Sequence, residues 1–171
     1  MKKTIQLLSV SLMALCFASS CKKDSTDTSG NQNLSSGQAE VRFSYTGVQS
    51  GSFQSTTALS HANASGGITQ IACSVVSGTT AKTVQIVFPT SLAVGSSTQA
   101  SAGADLTNGF LMTFGVGSSG WAIGGGTGSG FTVTVTKNTG TEMEGTFSGE
   151  LGSDSDPGKV TTASGYFHCV L

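Results

Sequence analysis

Apolar and polar residues alternate with a period of two along most of the chain, which is the pattern of strands with one buried face. Valine, isoleucine, phenylalanine and tyrosine recur at every second position in residues 41–45, 84–88 and 131–135. Outside the first twenty residues, no segment places apolar side chains at i, i+3, i+4 and i+7, the spacing of an amphipathic helix. The pattern therefore predicts an all-β fold.

We predict strands where the alternation is clear and turns where glycine, proline or asparagine interrupts it. The predicted strands cover residues 41–46, 52–59, 68–76, 84–88, 110–116, 131–136, 143–149 and 160–171. Residues 60–67 are predicted to be a loop, and residues 90–109 a long connection with a short strand near Leu92. Lys137-Asn138-Thr139-Gly140 marks the clearest hairpin. This succession predicts a single antiparallel β-sandwich or partly closed barrel of about 8–10 strands.

The first twenty residues have a different pattern. Lys2 and Lys3 precede an apolar run over residues 5–17, which falls short of the roughly 20 residues of a membrane-spanning helix. The small residues 18–20 then lead to Cys21. This arrangement resembles the lipobox of bacterial lipoproteins. The resemblance implies that residues 1–20 are a signal peptide, and that Cys21 becomes the first residue and carries three acyl chains, palmitate among them. The alternative is an ordinary cleaved secretory signal with an incidental cysteine.

Residues 21–38 are predicted to be a disordered tether. They consist mainly of serine, aspartate, asparagine, threonine and glycine, with Leu34 as the single large apolar side chain, and they bury too little apolar surface to offset the entropy of ordering. Asp24-Ser25-Thr26 resembles the O-glycosylation acceptor triplet of secreted Bacteroidetes-type proteins, which implies a glycan on Ser25. Residues 39–171 are left as the β-sandwich domain.

Charge is sparse, at 10% of all residues, and the net charge of the whole chain is −1. Nucleic-acid binding depends on clustered lysine and arginine that displace counterions from phosphates. The chain has no such cluster, so nucleic acid is excluded as a partner. The partners that we expect are the membrane, through the N-terminal lipid, and a glycan or an envelope protein.

Four cysteines are present. With Cys16 in the signal and Cys21 lipidated, Cys73 and Cys169 are the two left in the domain. In an oxidising compartment they would form a disulfide that stabilises the fold by a few kcal/mol. The alternative is two separate buried thiols, which behave as small apolar side chains.

Two motifs resemble ligand sites but lack what those sites need. Gly115–Gly120 satisfies G-x-G-x-x-G, yet a dinucleotide site requires a helix after the glycines, and Trp121-Ala122-Ile123-Gly124 does not begin one. A glycine-rich turn is predicted instead. Asp154–Gly158 carries two carboxylates but lacks the further acidic ligands of a calcium loop, so a plain turn is predicted there as well.

Catalytic and metal-ligating residues are scarce. The two histidines are His61 in the predicted loop and His168 in the last strand, and no G-x-S-x-G elbow accompanies them. His168 and Cys169 are consecutive on a strand, so they face opposite sides and do not chelate one ion, with Cys169 on the core side. No metal site, cofactor or enzymatic activity is predicted.

Trp121 is the candidate ligand contact. A tryptophan on a glycine-rich loop can stack on the apolar face of a sugar or anchor a protein partner. The alternative is that this lone tryptophan fills the core.

The end of the chain carries a second resemblance. Glu144-Gly145-Thr146-Phe147-Ser148-Gly149, then Gly158-Lys159-Val160 and Gly165-Tyr166-Phe167, resemble the C-terminal hairpin of small Bacteroidetes-type outer-membrane lipoproteins of uncharacterised function. The opening strand of that group has no clear counterpart here. The resemblance implies an all-β lipoprotein of the outer membrane, facing the periplasm or the cell surface, and brings no activity with it. We expect a binding or structural role; the alternative is a secreted or envelope enzyme or inhibitor with a scattered site.

Overall fold

The computed structural model describes residues 33–55, 57–95, 97–100, 110–123, 130–153, 155–156 and 158–171. These residues belong to one compact unit. They form eleven β-strands and a short 3-10 helix, and contain no α-helix. The all-β prediction is confirmed. Within the same residues, no helix is long and apolar enough to cross a membrane.

The long strands alternate in burial as the sequence pattern predicts, for example β1 and β9. In chain order they are β1 (Ala39–Gly47), β2 (Gly51–Gln54), β3 (Ser60–Ser65), β4 (Ile68–Ser77), β5 (Thr80–Pro89), β6 (Ser97–Ala100), β7 (Leu111–Val116), β8 (Ser119–Ala122), β9 (Phe131–Asn138), β10 (Glu142–Ser153) and β11 (Val160–Val170). The 3-10 helix, Thr57–Leu59, lies between β2 and β3.

All strands join one antiparallel sheet, in the order β2-β1-β11-β10-β8-β7-β5-β4-β3, with β9 paired to β10 and β6 paired to β9. β2 and β3, the two ends of this nine-strand path, follow each other in the chain. The sheet curls until β3 meets the segment before β1, where the Ala62 N–H donates to the Gly37 carbonyl over 2.9 Å. The sheet therefore forms a partly closed barrel, one of the two predicted architectures.

β10 is the longest strand and the point where the sheet forks. Its first half, Met143–Ser148, pairs with β9, whereas Gly152 and Ser153 at its end pair with β8. Its other edge pairs with β11 along eleven consecutive positions, from Glu142 opposite Val170 to Gly152 opposite Val160. Side chains on β10 and β11 are thus held in a fixed register.

The inward faces of the strands meet in one aromatic core. All eight phenylalanines after residue 20, together with Tyr45 and Trp121, are at most 4% exposed. Each of their rings lies within 6.2 Å, between centroids, of another ring of the group. Such ring pairs stabilise a fold beyond the apolar area that they bury.

The predicted loop at residues 60–67 was wrong. Residues 60–65 form β3, and Gly66 and Gly67, with φ of 61° and 80°, make the tight turn into β4. The inward side chains of β3 are Ser60 and Ala62, both buried. They are too small to produce the apolar alternation that marks a strand, so pairing with β4 rather than local pattern determines this element.

Two short strands were also misplaced or missed. The short strand of this region is β6, later in the chain than the one predicted near Leu92, and β8 lies in a stretch predicted to be a glycine-rich turn. Each has four residues, too few for a period of two to be visible. Because β3 and β8 were not predicted, the described residues contain eleven strands instead of the predicted eight to ten.

Candidate binding face

The predicted N-terminal sites lie outside the described residues. This applies to Cys21, the predicted lipid attachment point, to Ser25, the predicted glycan acceptor, and to the tether as far as residue 32. The lipobox and glycosylation predictions, and the tether as far as residue 32, therefore stay predictions. The end of the predicted tether instead joins the domain: the Gly37 N–H donates to the Val170 carbonyl over 2.8 Å, and the Val170 N–H donates to the Gln38 carbonyl over 3.0 Å.

Cys73 on β4 and Cys169 on β11 are both buried and both carry free thiols. The structure thus does not show the predicted disulfide. Cys169 faces the core, as the alternation of β11 predicts, and is 0% exposed. Burial raises the pKa of both thiols, for Cys169 to about 12. The charge of Cys73 is a further cause of the shift at Cys169, so the two sulfurs share one part of the interior.

Trp121, the predicted ligand contact, occupies the core position that was its alternative. It is 3% exposed and its indole stacks on Phe114 with 5.8 Å between ring centroids. Contact with a ligand through an exposed indole would require this side chain to leave the core. Among the described residues, the indole Nε1 has no hydrogen-bond partner.

The two motifs that were predicted to be turns occur at turns. Within Gly115–Gly120, Gly117 adopts a φ of 60° between β7 and β8. Between β10 and β11, the Lys159 N–H donates to the Asp156 carbonyl over 2.9 Å, and the Lys159 ammonium lies 2.9 Å from the Asp156 carboxylate.

The two histidines lie in different settings. His61 is exposed on β3, whereas His168 on β11 is 7% exposed. Because Phe167 and Cys169 face the core, His168 lies on the outer face of the sheet. Directly opposite it are Glu40 on β1 and Glu144 on β10.

Cross-strand register therefore assembles a transverse row of polar side chains over four strands. Glu40 on β1 is opposite His168, His168 is opposite Glu144, and Glu144 is opposite Lys137 on β9. Glu142 lies two positions before Glu144, on the same face of β10. Opposite charges on facing strand positions stabilise a sheet, so the row is compatible with the pairing that creates it.

Lys137, Glu142, Glu144, Tyr166 and His168 form what we call the polar cluster. The Lys137 ammonium lies 2.7 Å from Glu142 Oε2 and 3.5 Å from Glu144 Oε1. His168 Nε2 lies 2.8 Å from Glu142 Oε1. The Tyr166 hydroxyl donates to Glu144 Oε2 over 3.2 Å. Each of the four carboxylate oxygens thus has one partner inside the cluster.

Mutual contacts set the protonation states in the cluster. Hydrogen bonds from Lys137 and then His168 hold the pKa of Glu142 below its ordinary value of 4.5. The hydrogen bond with Glu142 raises the pKa of Lys137 above 10.5. Burial, followed by the charge of Glu144, raises the pKa of Tyr166. At neutral pH Glu142 is therefore a carboxylate, Lys137 an ammonium group and Tyr166 a protonated phenol.

Glu40 and Arg42 border the cluster on β1. Glu40 is 2% exposed, and its Oε1 lies 2.9 Å from the Arg42 Nε, in an ion pair that lacks hydrogen-bond geometry. The Arg42 guanidinium lies over the Tyr166 ring at 5.4 Å from its centroid. This cation–π contact holds the ring whose hydroxyl orients Glu144.

The polar cluster was not predicted from the sequence. Glu142-x-Glu144 at the start of a predicted strand places two carboxylates on one face, and that signal was present in the sequence. What the sequence lacks is the register that brings His168 and Lys137 to them from two other strands. Chemically, the cluster combines the carboxylates of two glutamates, the imidazole of His168 and the ammonium group of Lys137 on an otherwise sparsely charged sheet.

No protein-family model, curated protein or solved structure matches this chain.

Proposed function

We propose that the protein is a lipid-anchored component of the bacterial cell envelope, with a binding role carried by the outer face of its β domain. Cys21 would attach it to the outer membrane, residues 22–32 would hold the domain away from the lipid, and the polar cluster would contact a glycan or an envelope protein. The concentration of ionisable side chains in the polar cluster is the observation that carries the binding role.

Attachment is supported by the position of Cys21 after a basic start, an apolar run and three small residues. Two or more acyl chains give a stable anchor, whereas a single chain binds a membrane only marginally. The three chains implied by the lipobox resemblance would therefore suffice without a membrane-spanning helix. This part of the proposal is independent of the β domain.

Binding is supported by the composition of the cluster. Five of the domain's ionisable side chains converge on one sheet face, in a protein with only 10% charged residues. Carboxylates accept hydrogen bonds from sugar hydroxyls, and partly buried charged groups surrounded by a rigid sheet give geometric specificity to a protein contact. We assign no catalytic step to the cluster, because its carboxylates and imidazole are engaged with each other and with Lys137 and Tyr166.

The anchor is tested by Cys21→Ser, with Cys16→Ser in the signal as the matched control. We expect the wild-type chain and the control to enter the detergent phase of a phase-separating detergent, and their N-terminal peptide to carry acylated Cys21 by mass spectrometry. The Cys21→Ser chain should lack that mass and leave the detergent phase. An unacylated N-terminal peptide from the wild-type protein would refute the anchor.

The binding role is tested with the full chain, solubilised in detergent, on a glycan array and in pull-downs from envelope extract. Glu144→Gln should lower retention at least tenfold, because it removes the charge that strengthens hydrogen bonds to the ligand. Asp156→Asn, at the opposite end of the β10–β11 hairpin, is the matched control and should retain ligand normally. Absence of retention by the wild-type chain, or equal retention by both variants, would contradict this assignment.

We further propose that Cys73 and Cys169 become joined by a disulfide in the oxidising envelope, each thiol giving up one proton and one electron to a disulfide oxidant there. Shared burial supports the pairing. Mass spectrometry of peptides from protein purified without reductant should find the two cysteines linked. Free, alkylatable cysteines after unfolding of such a sample would exclude the bridge.

A further inference from the structure

We propose that Glu142, Glu144 and His168 form a binding site for a divalent transition-metal cation, with zinc(II) as the best chemical match, and that Lys137 is the internal cation that the metal displaces. The inference deepens the proposed binding role of the polar cluster and rests on it, because it names the first ligand of the same face.

The ligand atoms are already close together. One oxygen from each glutamate and one ring nitrogen of His168 all lie within 4.8 Å of one another. Tetrahedral zinc, with bonds of about 2.0–2.1 Å, needs ligand atoms roughly 3.3 Å apart. The Glu142 Oε1–His168 Nε2 distance of 2.8 Å is already within this spacing, so metal binding requires side-chain rotation to close the remaining distances, which are at most 4.8 Å. Three protein ligands leave the fourth position open, as at zinc sites that bind a further group.

The sheet holds these ligands in place. Glu144 and His168 face each other in the β10–β11 pairing, and Glu142 lies on the same face. The His168 side chain is 9% exposed, so its ring has little freedom. Ligands carried on paired strands need less ordering when a cation binds than ligands on loops.

One of the ligands, Glu144, is held in place by neighbours outside the proposed site. The Tyr166 hydroxyl donates to Glu144 Oε2, and the Arg42 guanidinium covers the Tyr166 ring. Outer hydrogen bonds of this kind orient metal-ligating carboxylates and contribute about 10–100-fold to metal affinity. They leave Glu144 Oε1 as the oxygen that faces the site.

The position of the Lys137 ammonium shows that the space between the two glutamate carboxylates accommodates a cation. Its ammonium contacts both carboxylates, yet its side chain is 42% exposed at the end of a flexible stem. It can swing into solvent while the two carboxylates and the imidazole stay. The imidazole indicates which metal would replace Lys137. Magnesium and calcium prefer oxygen ligands alone, whereas zinc also accepts nitrogen, so a transition metal such as zinc is favoured.

The test measures zinc binding by calorimetry on the full chain in detergent, with cobalt(II) absorption as a readout of coordination geometry. One zinc per chain is expected, and cobalt should give the intense visible bands of a four-coordinate site. His168→Gln and Glu144→Gln should each weaken binding at least tenfold, and Tyr166→Phe about tenfold. Affinity should fall as pH is lowered, because protons compete for the imidazole nitrogen.

Lys137→Met gives the most specific outcome. Removal of the competing ammonium should strengthen zinc binding, whereas a purely structural ion-pair network would only lose stability. His61→Gln is the matched control, because it removes the other, exposed histidine, and should bind zinc as the wild type does. Urea unfolding of each variant confirms that it is folded.

Absence of one-to-one zinc binding by the wild-type chain would overturn the inference, as would unchanged affinity in His168→Gln or weaker binding in Lys137→Met. This failure is distinguishable from failure of the proposed function. A chain that retains a glycan or protein but no zinc disproves the metal site only. A chain that binds zinc and retains neither partner supports the site and disproves the partner classes proposed above.

Discussion

At the scale of single residues, Trp121 shows how an isolated residue type can mislead. Its glycine neighbours favoured exposure on a loop, yet it is 3% exposed and stacked on Phe114. The core of this protein is built from aromatic rings, and a large apolar side chain is stabilised by joining them. The cost is a buried indole N–H without a partner among the described residues.

This arrangement predicts that two substitutions of Trp121 differ in how much stability they cost. Trp121→Phe keeps most of the ring and removes the unpaired donor, so the free energy of unfolding should stay within about 1 kcal/mol of the wild type. Trp121→Ala should lower it by about 3–5 kcal/mol, because it leaves a cavity. Urea unfolding measures both. Equal losses in the two variants would show that the indole N–H is satisfied in solution.

At the scale of elements, alternation predicted the long strands and missed the short or small-residue ones. β1, β5 and β9 carry large apolar side chains at successive alternate positions, and each was predicted. β3 has serine and alanine on its inward face, so its strand character comes from pairing with β4 and is invisible in a local pattern. The sequence nevertheless contained the turn signal for this hairpin, in Gly66-Gly67.

That turn makes a prediction about backbone conformation. Gly66 has a φ of 61°, and a Cβ atom built there meets nothing within 4 Å. Substitution therefore acts through the backbone alone. Gly66→Asn should change the free energy of unfolding by less than about 0.5 kcal/mol, because Asn-Gly suits a type I′ turn. Gly66→Val should lower it by about 1–2 kcal/mol.

The urea midpoints of the two Gly66 variants, compared with that of the wild type, measure this effect. Gly158→Ala is the control and should be neutral, because Gly158 lies outside the left-handed region and a Cβ built on it meets its nearest atom, Asp156 Oδ1, at 3.8 Å. A neutral Gly66→Val would contradict the role of the turn in fixing the register of β3.

At the scale of the whole molecule, the fold class could be predicted and the polar cluster could not. Fold class follows from a pattern repeated along the chain. The cluster depends on the pairing of β9, β10 and β11, which sets which outer-face residues are neighbours across about thirty residues of sequence. The alternation of β11 excludes a slip of one position, because it would turn Phe167 and Cys169 outward. A slip of two positions keeps every side chain on its face, however, and would separate His168 from Glu144, so alternation alone does not fix the cluster.

The distribution of titratable groups predicts how the stability of the molecule depends on pH. Glu142 and Asp156 have a lowered pKa in the folded state, the first mainly through Lys137 and the second mainly through Lys159. Each therefore contributes stability above its ordinary pKa of 4.5 or 3.8, and the contribution is lost as pH falls through the folded value. The free energy of unfolding should therefore fall less steeply at acid pH in Glu142→Gln than in the wild type.

At alkaline pH, the free energy of unfolding depends on the groups whose pKa is raised in the folded state. These groups include the two buried thiols. Stability contributed by Cys73 and Cys169 is present below their ordinary pKa of 9.0 and is lost as pH rises toward the folded values, about 12 for Cys169. The cause is that the unfolded chain releases these protons first. Tyr166 and Lys137 act in the same direction, above their ordinary values of 10.0 and 10.5.

Urea midpoints measured from pH 7 to 11, with and without reductant, separate these contributions. The reduced protein should lose stability from about pH 9, where unfolded thiols begin to ionise. The Cys73→Ala, Cys169→Ala double variant should lose it only from about pH 10, through Tyr166 and Lys137. Protein in which the two cysteines are joined should follow the double variant, because a disulfide has no proton to release. An identical alkaline limb for the reduced protein and the double variant would show that the thiols are not held protonated by burial.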